Sequence, residues 1–271
     1  MLSFVTRADP IVRILFIGDI FGSPGRKVLG DHLHDVVAQR SIDLVLANGE
    51  NVAGGFGITP RLANELFALG IEVITTGNHV WDKKEIIEYY TREPRLVRAA
   101  NYPPGAPGHG VFRARSRGGI DYAVMHLLGR VYMNPLDCPF RTADEELARL
   151  PKECLIRIVD MHAEASSEKQ AMGWHLDGRV TAVIGTHTHV ATADERVLPA
   201  GTAFITDVGM TGPYDSVIGV DKEIALSRFI RQMPNRFEPA KGDVRMVGVV
   251  IDADEHTGKA RSIERFELRV S

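Results

Sequence analysis

A chain of 271 residues with 44% hydrophobic and 25% charged side chains has ordinary globular proportions, enough for one large domain or one domain with a small excursion. Its formal net charge of −3 excludes a broad electrostatic footprint for duplex nucleic acid or an anionic membrane, while leaving room for a local phosphate site. Cys138 and Cys154 are too few for a disulfide scaffold or a thiolate zinc site, apolar runs such as 247–251 are too short to span a bilayer, and residues 1–10 lack a secretory core, so a cytoplasmic protein is expected.

Residues 1–10 read as a leader without a role. Residues 13–18 are a nearly continuous apolar run, the mark of a strand buried on both faces, and end at Asp19. A turn-rich loop leads to a helix over 26–40 with Val28, Leu29, Leu33, Val36 and Val37 on one stripe. A second strand, 42–47, runs into Asn48-Gly49-Glu50-Asn51. After the glycine-rich loop 52–58, Thr59 as N-cap, Pro60 at the first helical position and Gly70 beyond the end frame the next helix. Strand 71–75 delivers Thr76-Gly77-Asn78-His79, and Asp82 is expected to cap a helix through Tyr90.

Prolines and glycines then break the pattern, so about 93–145 is expected to be a small inserted lobe or lid, with strands near 96–99, 111–115 and 122–128. Thr142-Ala-Asp-Glu145 matches a capping box before a helix ending near Leu150. Strand 155–159 leads to Asp160-Met161-His162, a helix is expected over 167–174, and strand 180–184 feeds Gly185-Thr186-His187-Thr188-His189. A strand at 202–206, a helix at 222–232 and a hairpin over 245–270 complete an α/β chain.

The strand ends carry the chemistry. Asp19, Glu50 with Asn51, Asn78 with His79, His162, and His187 with His189 follow separate apolar runs, and α/β sheets gather ligands outside their strands' carboxyl ends. If the backbone stays extended, His187 and His189 point to one side. Hard oxygen plus imidazole without sulfur suits manganese, iron or zinc. Asp19, Glu50, Asn51, Asn78, His162, His187 and His189 are too many ligands for one open ion, so a pair of ions about 3.5–4 Å apart with Glu50 bridging is expected. Two divalent cations against two carboxylates leave a positive pocket suited to a phosphate oxyanion.

This order of motifs resembles the calcineurin-like metallophosphoesterases. The elements Gly18-Asp19-Ile20-Phe21-Gly22, Ala47-Asn48-Gly49-Glu50-Asn51, Gly55-Phe56-Gly57-Ile58-Thr59, Thr76-Gly77-Asn78-His79, Asp160-Met161-His162-Ala163-Glu164 and Gly185-Thr186-His187-Thr188-His189 resemble the YmdB-type branch, which is 2′,3′-cyclic-nucleotide 2′-phosphodiesterase-like. Phe21 in place of the usual second His, Glu50 in place of the usual bridging Asp, and Val80 after Gly-Asn-His depart from the wider superfamily and favour this branch. The resemblance implies a four-layer α/β/β/α sandwich and a di-iron or di-manganese phosphodiesterase, zinc being the remaining candidate. Its substrates would be cyclic nucleotides, 2′,3′-cyclic and also 3′,5′-cyclic. By motif position Asp19, Glu50, Asn51 and His189 would hold one ion, Glu50, Asn78, His162 and His187 the other, and His79 would give the leaving oxygen its proton.

Two other functions compete: a phosphomonoesterase such as a nucleotidase, and a metal-dependent nucleotide-binding regulator that does not turn over. A homo-oligomer using 93–145 is a further expectation. His32, His34, His109, His126, His175 and His256 are read as surface or structural. Glycines 54, 55 and 57 fit an anion site and a turn about equally well. Residues 22–27 lack the phosphate-loop spacing, and there is no Gly-x-Ser-x-Gly elbow.

Overall fold

The computed structural model describes residues 10–116 and 118–270, so the expected leader lies outside the described residues but for Pro10. In chain order the elements are β1 (Ile11–Ile17), β2 (Asp19–Ile20), α1 (Gly22–Arg40), β3 (Leu44–Asn48), α2 (Pro60–Ala68), β4 (Val73–Thr75), α3 (Ile86–Arg92) and β5 (Leu96–Val97). They continue with β6 (Val111–Arg115), β7 (Asp121–Leu128), α4 (Pro139–Arg149), β8 (Ile156–His162), α5 (Ser166–Leu176), β9 (Ala182–Thr186), β10 (Arg196–Val197) and β11 (Ala203–Ile205). The last are β12 (Met210–Pro213), α6 (Lys222–Arg231), β13 (Val244–Asp254) and β14 (Ala260–Arg269).

Two sheets form. The first runs β2-β12-β13-β1-β3-β4-β5, with β14 also paired to β13, and the second runs β10-β11-β9-β8-β7-β6. Strands β1, β3, β4 and β5 are parallel, as are β7, β8, β9 and β11. The strands are apolar on both faces because both faces are covered. In β1, Ile14 and Phe16 face the second sheet while Leu15 and Ile17 face the helices; in β8, Ile158 faces the first sheet and Val159 the other helices. Val28 and Leu29 of α1, Leu62 and Leu66 of α2 and Ile86 and Tyr90 of α3 cover one outer face, and Ala143 of α4 with Met172 and Leu176 of α5 cover the other. The layers are therefore α/β/β/α, as the resemblance implies. Among the described residues no helix is long and apolar enough to cross a membrane.

Local capping explains where the elements depart from expectation. Thr59 does cap α2, its Oγ1 accepting the Leu62 N–H at 3.3 Å, and Gly70 takes a φ of +99° beyond the helix. Helix α1 starts a turn earlier than its apolar stripe suggests, at Gly22. Helix α4 starts at Pro139, so Thr142 is already inside its first turn, donating its N–H to Cys138 O at 3.0 Å; proline's fixed φ outweighs the capping-box match. Asp82 does not cap α3, which begins at Ile86. The stretch 93–145, expected as a lobe, supplies β5 to the first sheet and β6 and β7 to the second.

The fully buried Phe16 fills the space between the sheets. Phe16→Ala is expected to cost about 3–5 kcal/mol of stability, read as a lower midpoint in equilibrium denaturation with an unchanged slope.

Candidate metal centre

The parallel registers set the site. Ile17 of β1 lies level with Ala47 of β3, Asn48 of β3 with Thr75 of β4, and His162 of β8 with Thr186 of β9. The carboxyl ends of both sheets therefore open on one place. The first sheet brings Asp19, Glu50, Asn51 and Asn78, and the second brings His162, His187 and His189.

Their ligand atoms fall into two groups. Those of Glu50, His162 and His187 lie within 4.8 Å of one another, as do those of Asp19, Glu50 and His189. Glu50 belongs to both groups. The carboxamides divide between them: Asn78 Oδ1 is 3.2 Å from His162 Nε2, and Asn51 Oδ1 is 3.3 Å from His189 Nε2.

The local bonding fits a cation in each group. Asp160 Oδ1 accepts from Thr186 Oγ1 at 2.6 Å, and Thr186 Oγ1 in turn lies 2.8 Å from His162 Nδ1. The threonine proton is committed to the carboxylate, so the ring donates from Nδ1 and presents its Nε2 to the other candidate ligands. That Nε2 faces Glu50 Oε1 at 3.1 Å, Asn78 Oδ1 at 3.2 Å and His187 Nδ1 at 3.0 Å, a gathering of acceptors that one proton cannot serve. His189 donates from Nδ1 to Ile218 O at 2.9 Å, which turns its Nε2 toward Asn51 and, at 3.9 Å, Asp19 Oδ1. Asp19 Oδ1 is buried without a hydrogen-bond partner. A Cβ on Gly77 would stand 2.1 Å from Glu50 Oε2 and 2.4 Å from His162 Nε2, so only glycine leaves the space between these ligands open.

The titrations carry the same demand for positive charge. Burial pushes the Asp19 carboxyl well above the usual range, opposed by a charged His162. Burial disfavours a charged His162, yet the carboxylates of Glu50, Asp19 and Asp160 override it and raise that ring to about 9. Glu50 is held below the usual carboxylate range because the imidazolium of His162 outweighs its own burial. Burial and the neighbouring His162 charge depress His187 to about 3, and burial depresses His189. With carboxylates and imidazoles this close, a proton on His162 stands where a metal ion would.

His187 and His189 reach the site by a route other than an extended strand. Strand β9 ends at Thr186, and both histidines have left-handed backbones, with φ of +104° and +64°. That is why adjacent alternating positions serve two different groups. The turn is held by Asp207, whose Oδ2 accepts the Thr188 N–H at 3.0 Å and the Lys169 Nζ at 2.6 Å, both members of the ion pair being buried. Asp19 Oδ2 takes the His187 N–H at 3.3 Å.

His79 sits at the rim. Its N–H donates to Glu50 Oε2 at 3.2 Å, and its ring Nδ1 is 2.8 Å from Asp82 Oδ2, which leaves Nε2 for a ligand. Glu164 Oε2, half-exposed, lies 3.1 Å from His187 Nε2 and so turns His187 Nδ1 inward. The sequence reading gives Asp82 only the part of a helix cap, and it gives Glu164, Asp160, Asp207 and Lys169 no part in the site. Asp160 is legible in hindsight as a carboxylate interrupting an apolar strand, on the same side as His162. Asp207 follows β11 much as Asp19 follows β1. Lys169 gives no signal of its own. Of the histidines read as structural, His126 is fully buried with its Nδ1 3.3 Å from Asp160 Oδ2, and neither it nor the other five belongs to either ligand group.

Comparison with known proteins gives one answer. A family model described as YmdB-like protein matches residues 15–266. The chain is 49% identical over 255 residues to the 2′,3′-cyclic-nucleotide 2′-phosphodiesterase of Bacillus subtilis (strain 168), covering 94% of this chain and 96% of that one. Among solved structures, a hypothetical protein from Thermus thermophilus matches with a TM-score of 0.90 and 41% identity, over 96% of this chain and 100% of that one. A novel phosphatase from Mycoplasma pneumoniae matches with a TM-score of 0.89 and 33% identity, over 96% and 94% of the two chains. The chain belongs to the YmdB-like protein family.

Proposed function

We propose that this protein is a two-metal phosphodiesterase that hydrolyses 2′,3′-cyclic nucleotides, with 3′,5′-cyclic forms as further substrates. The observation that carries the reading is the buried Glu50 carboxylate common to two ligand groups, beneath a histidine whose outer nitrogen is left for substrate. The activity named for the Bacillus subtilis relative supports the same substrate class. Asp19, Glu50, Asn51 and His189 hold one ion; Glu50, Asn78, His162 and His187 hold the other. Iron or manganese suits this mixture of oxygen and imidazole donors. Bound there, the pair supplies Lewis acidity toward the phosphoryl oxygens and lowers the pKa of water.

The chain's own residues do the rest. Glu50 would serve both ion positions. Gly77 keeps the space between them clear. Glu164 and the Thr186–Asp160 pair fix which nitrogens of His187 and His162 face inward. As water oxygen bonds to phosphorus and the bond to the ribose 2′-oxygen breaks, His79 gives that oxygen the proton on its Nε2, and Asp82 on Nδ1 holds the ring and steadies its charge. The products are a nucleoside 3′-monophosphate and a regenerated 2′-hydroxyl. A purely nucleotide-sensing protein has no use for a carboxylate-backed histidine at this rim.

A substrate panel with manganese or iron tests the reading: cyclic nucleotides should be opened to 3′-monophosphates, and release of inorganic phosphate from monoesters alone would overturn it in favour of a phosphatase. Anomalous scattering should find two ions flanking Glu50. His79→Ala should retain both ions by elemental analysis while losing about 10²–10⁴-fold in kcat. Asp19→Asn should abolish binding of one ion yet stabilise the metal-stripped protein by about 1 kcal/mol, some 2–4 °C in melting temperature, because the neutral amide removes a carboxylate charge that burial disfavours.

A further inference from the structure

The candidate metal centre is lined by carboxylates and imidazoles, and an aromatic pair stands at its rim beside His79. Phe56 is half-buried, and its ring meets the His79 ring edge-on, with centroids 5.0 Å apart and planes at 75°. The half-buried Phe237 lies nearly parallel to Phe56, at 18° and 6.3 Å, and the Arg228 guanidinium lies over the Phe237 ring at 4.7 Å. The other ring of this corner, Phe21 against His189, is buried and offers no surface.

The backbone presents Phe56 in a fixed direction. Gly55 and Gly57 flank it with φ of +99° and +74°, conformations that L side chains rarely adopt. A Cβ at Gly55 would press on the Phe21 ring at 2.9 Å, and one at Gly57 would lie 3.1–3.3 Å from Lys83, Asp82 and His79 O. Asn51 Nδ2 donates to Gly55 O at 2.8 Å, tying the loop to a candidate ligand. The positive φ values fit the turn role weighed for these glycines, and that turn sets the direction of the Phe56 ring.

We infer that Phe56 and Phe237 form the platform on which the nucleobase of the substrate stacks. The inference rests on the proposed hydrolysis of cyclic nucleotides and on His79 protonating the leaving oxygen. That oxygen belongs to the ribose, so the nucleoside must lie on the His79 side of the phosphorus. The Phe56 ring stands against His79, and Phe237, with the Arg228 guanidinium over it, extends the aromatic surface. Every base has a π-face, so such a platform selects nucleotides over baseless esters and discriminates little among bases.

The test compares adenosine 2′,3′-cyclic phosphate with glycerol 1,2-cyclic phosphate in the metal-loaded enzyme. Phe56→Ala and Phe237→Ala should each lower the ratio of kcat/KM for the nucleotide to that for the glycerol ester by about 10- to 100-fold, mainly through KM, and Phe56→Trp should restore it. Calorimetry should report a matching loss of affinity for adenosine 3′-monophosphate relative to glycerol 3-phosphate. Equal losses on both esters, or none, would overturn the platform. A wild-type protein that opens neither ester, while Phe56→Ala still loses its preference for adenosine 3′-monophosphate, would overturn the hydrolase and leave the platform standing.

Discussion

Charge balance around Glu50 is the constraint on which the site depends. This carboxylate is buried where the two sheets meet, within reach of three candidate imidazoles and a second buried carboxylate, Asp19. Burying such groups is costly unless each charge finds a partner. The network supplies some partners, such as the His79 N–H on Oε2, and leaves others open, such as Oδ1 of Asp19. Residues from two sheets share the deficit, so the site forms only where the sheets meet, and the apolar cluster between them holds its residues in register.

Around that core lies a set of groups whose work is orientation. Asp160 gathers Thr75, Thr186 and Asn48 behind His162. Lys169 and Asp207 hold the left-handed turn of His187 and His189, and Glu164 and Asp82 each take the outer or inner nitrogen of one ring. A buried salt bridge is weak evidence for stability in itself, but here it pins a strained backbone that carries two candidate ligands. The strain and the ion pair are best understood together.

The strand ends were legible because apolar runs finishing in Asp, Glu, Asn or His are a strong and local pattern, and the runs of β1, β3, β8 and β9 made buried strands readable in the same way, whereas the four-layer arrangement was legible only through the resemblance. Expectation fell short where tertiary contacts decide. Thr142 matched a capping box, yet Pro139 already starts α4. Asp82 had the right spacing for a helix cap, yet His79 claims its carboxylate. The stretch 93–145 looked broken because short strands separated by prolines give little periodicity, although those strands join both sheets. Phe237 lies far along the chain from Phe56, and no local pattern links the two rings.

The pairing of β1 has a consequence for how the chain comes together during synthesis. Strand β1 sits between β3 on one side and β13 on the other, and its pairing joins Ile11 to Asp254 and Ile17 to Gly248. A ribosome releases the first of these strands long before the last, so the middle of the first sheet waits with an open hydrogen-bonding edge until the closing hairpin emerges. Such widely separated partners slow folding and leave nascent strands open to mispairing. The second sheet, whose strands lie between residues 111 and 205, is spared that wait.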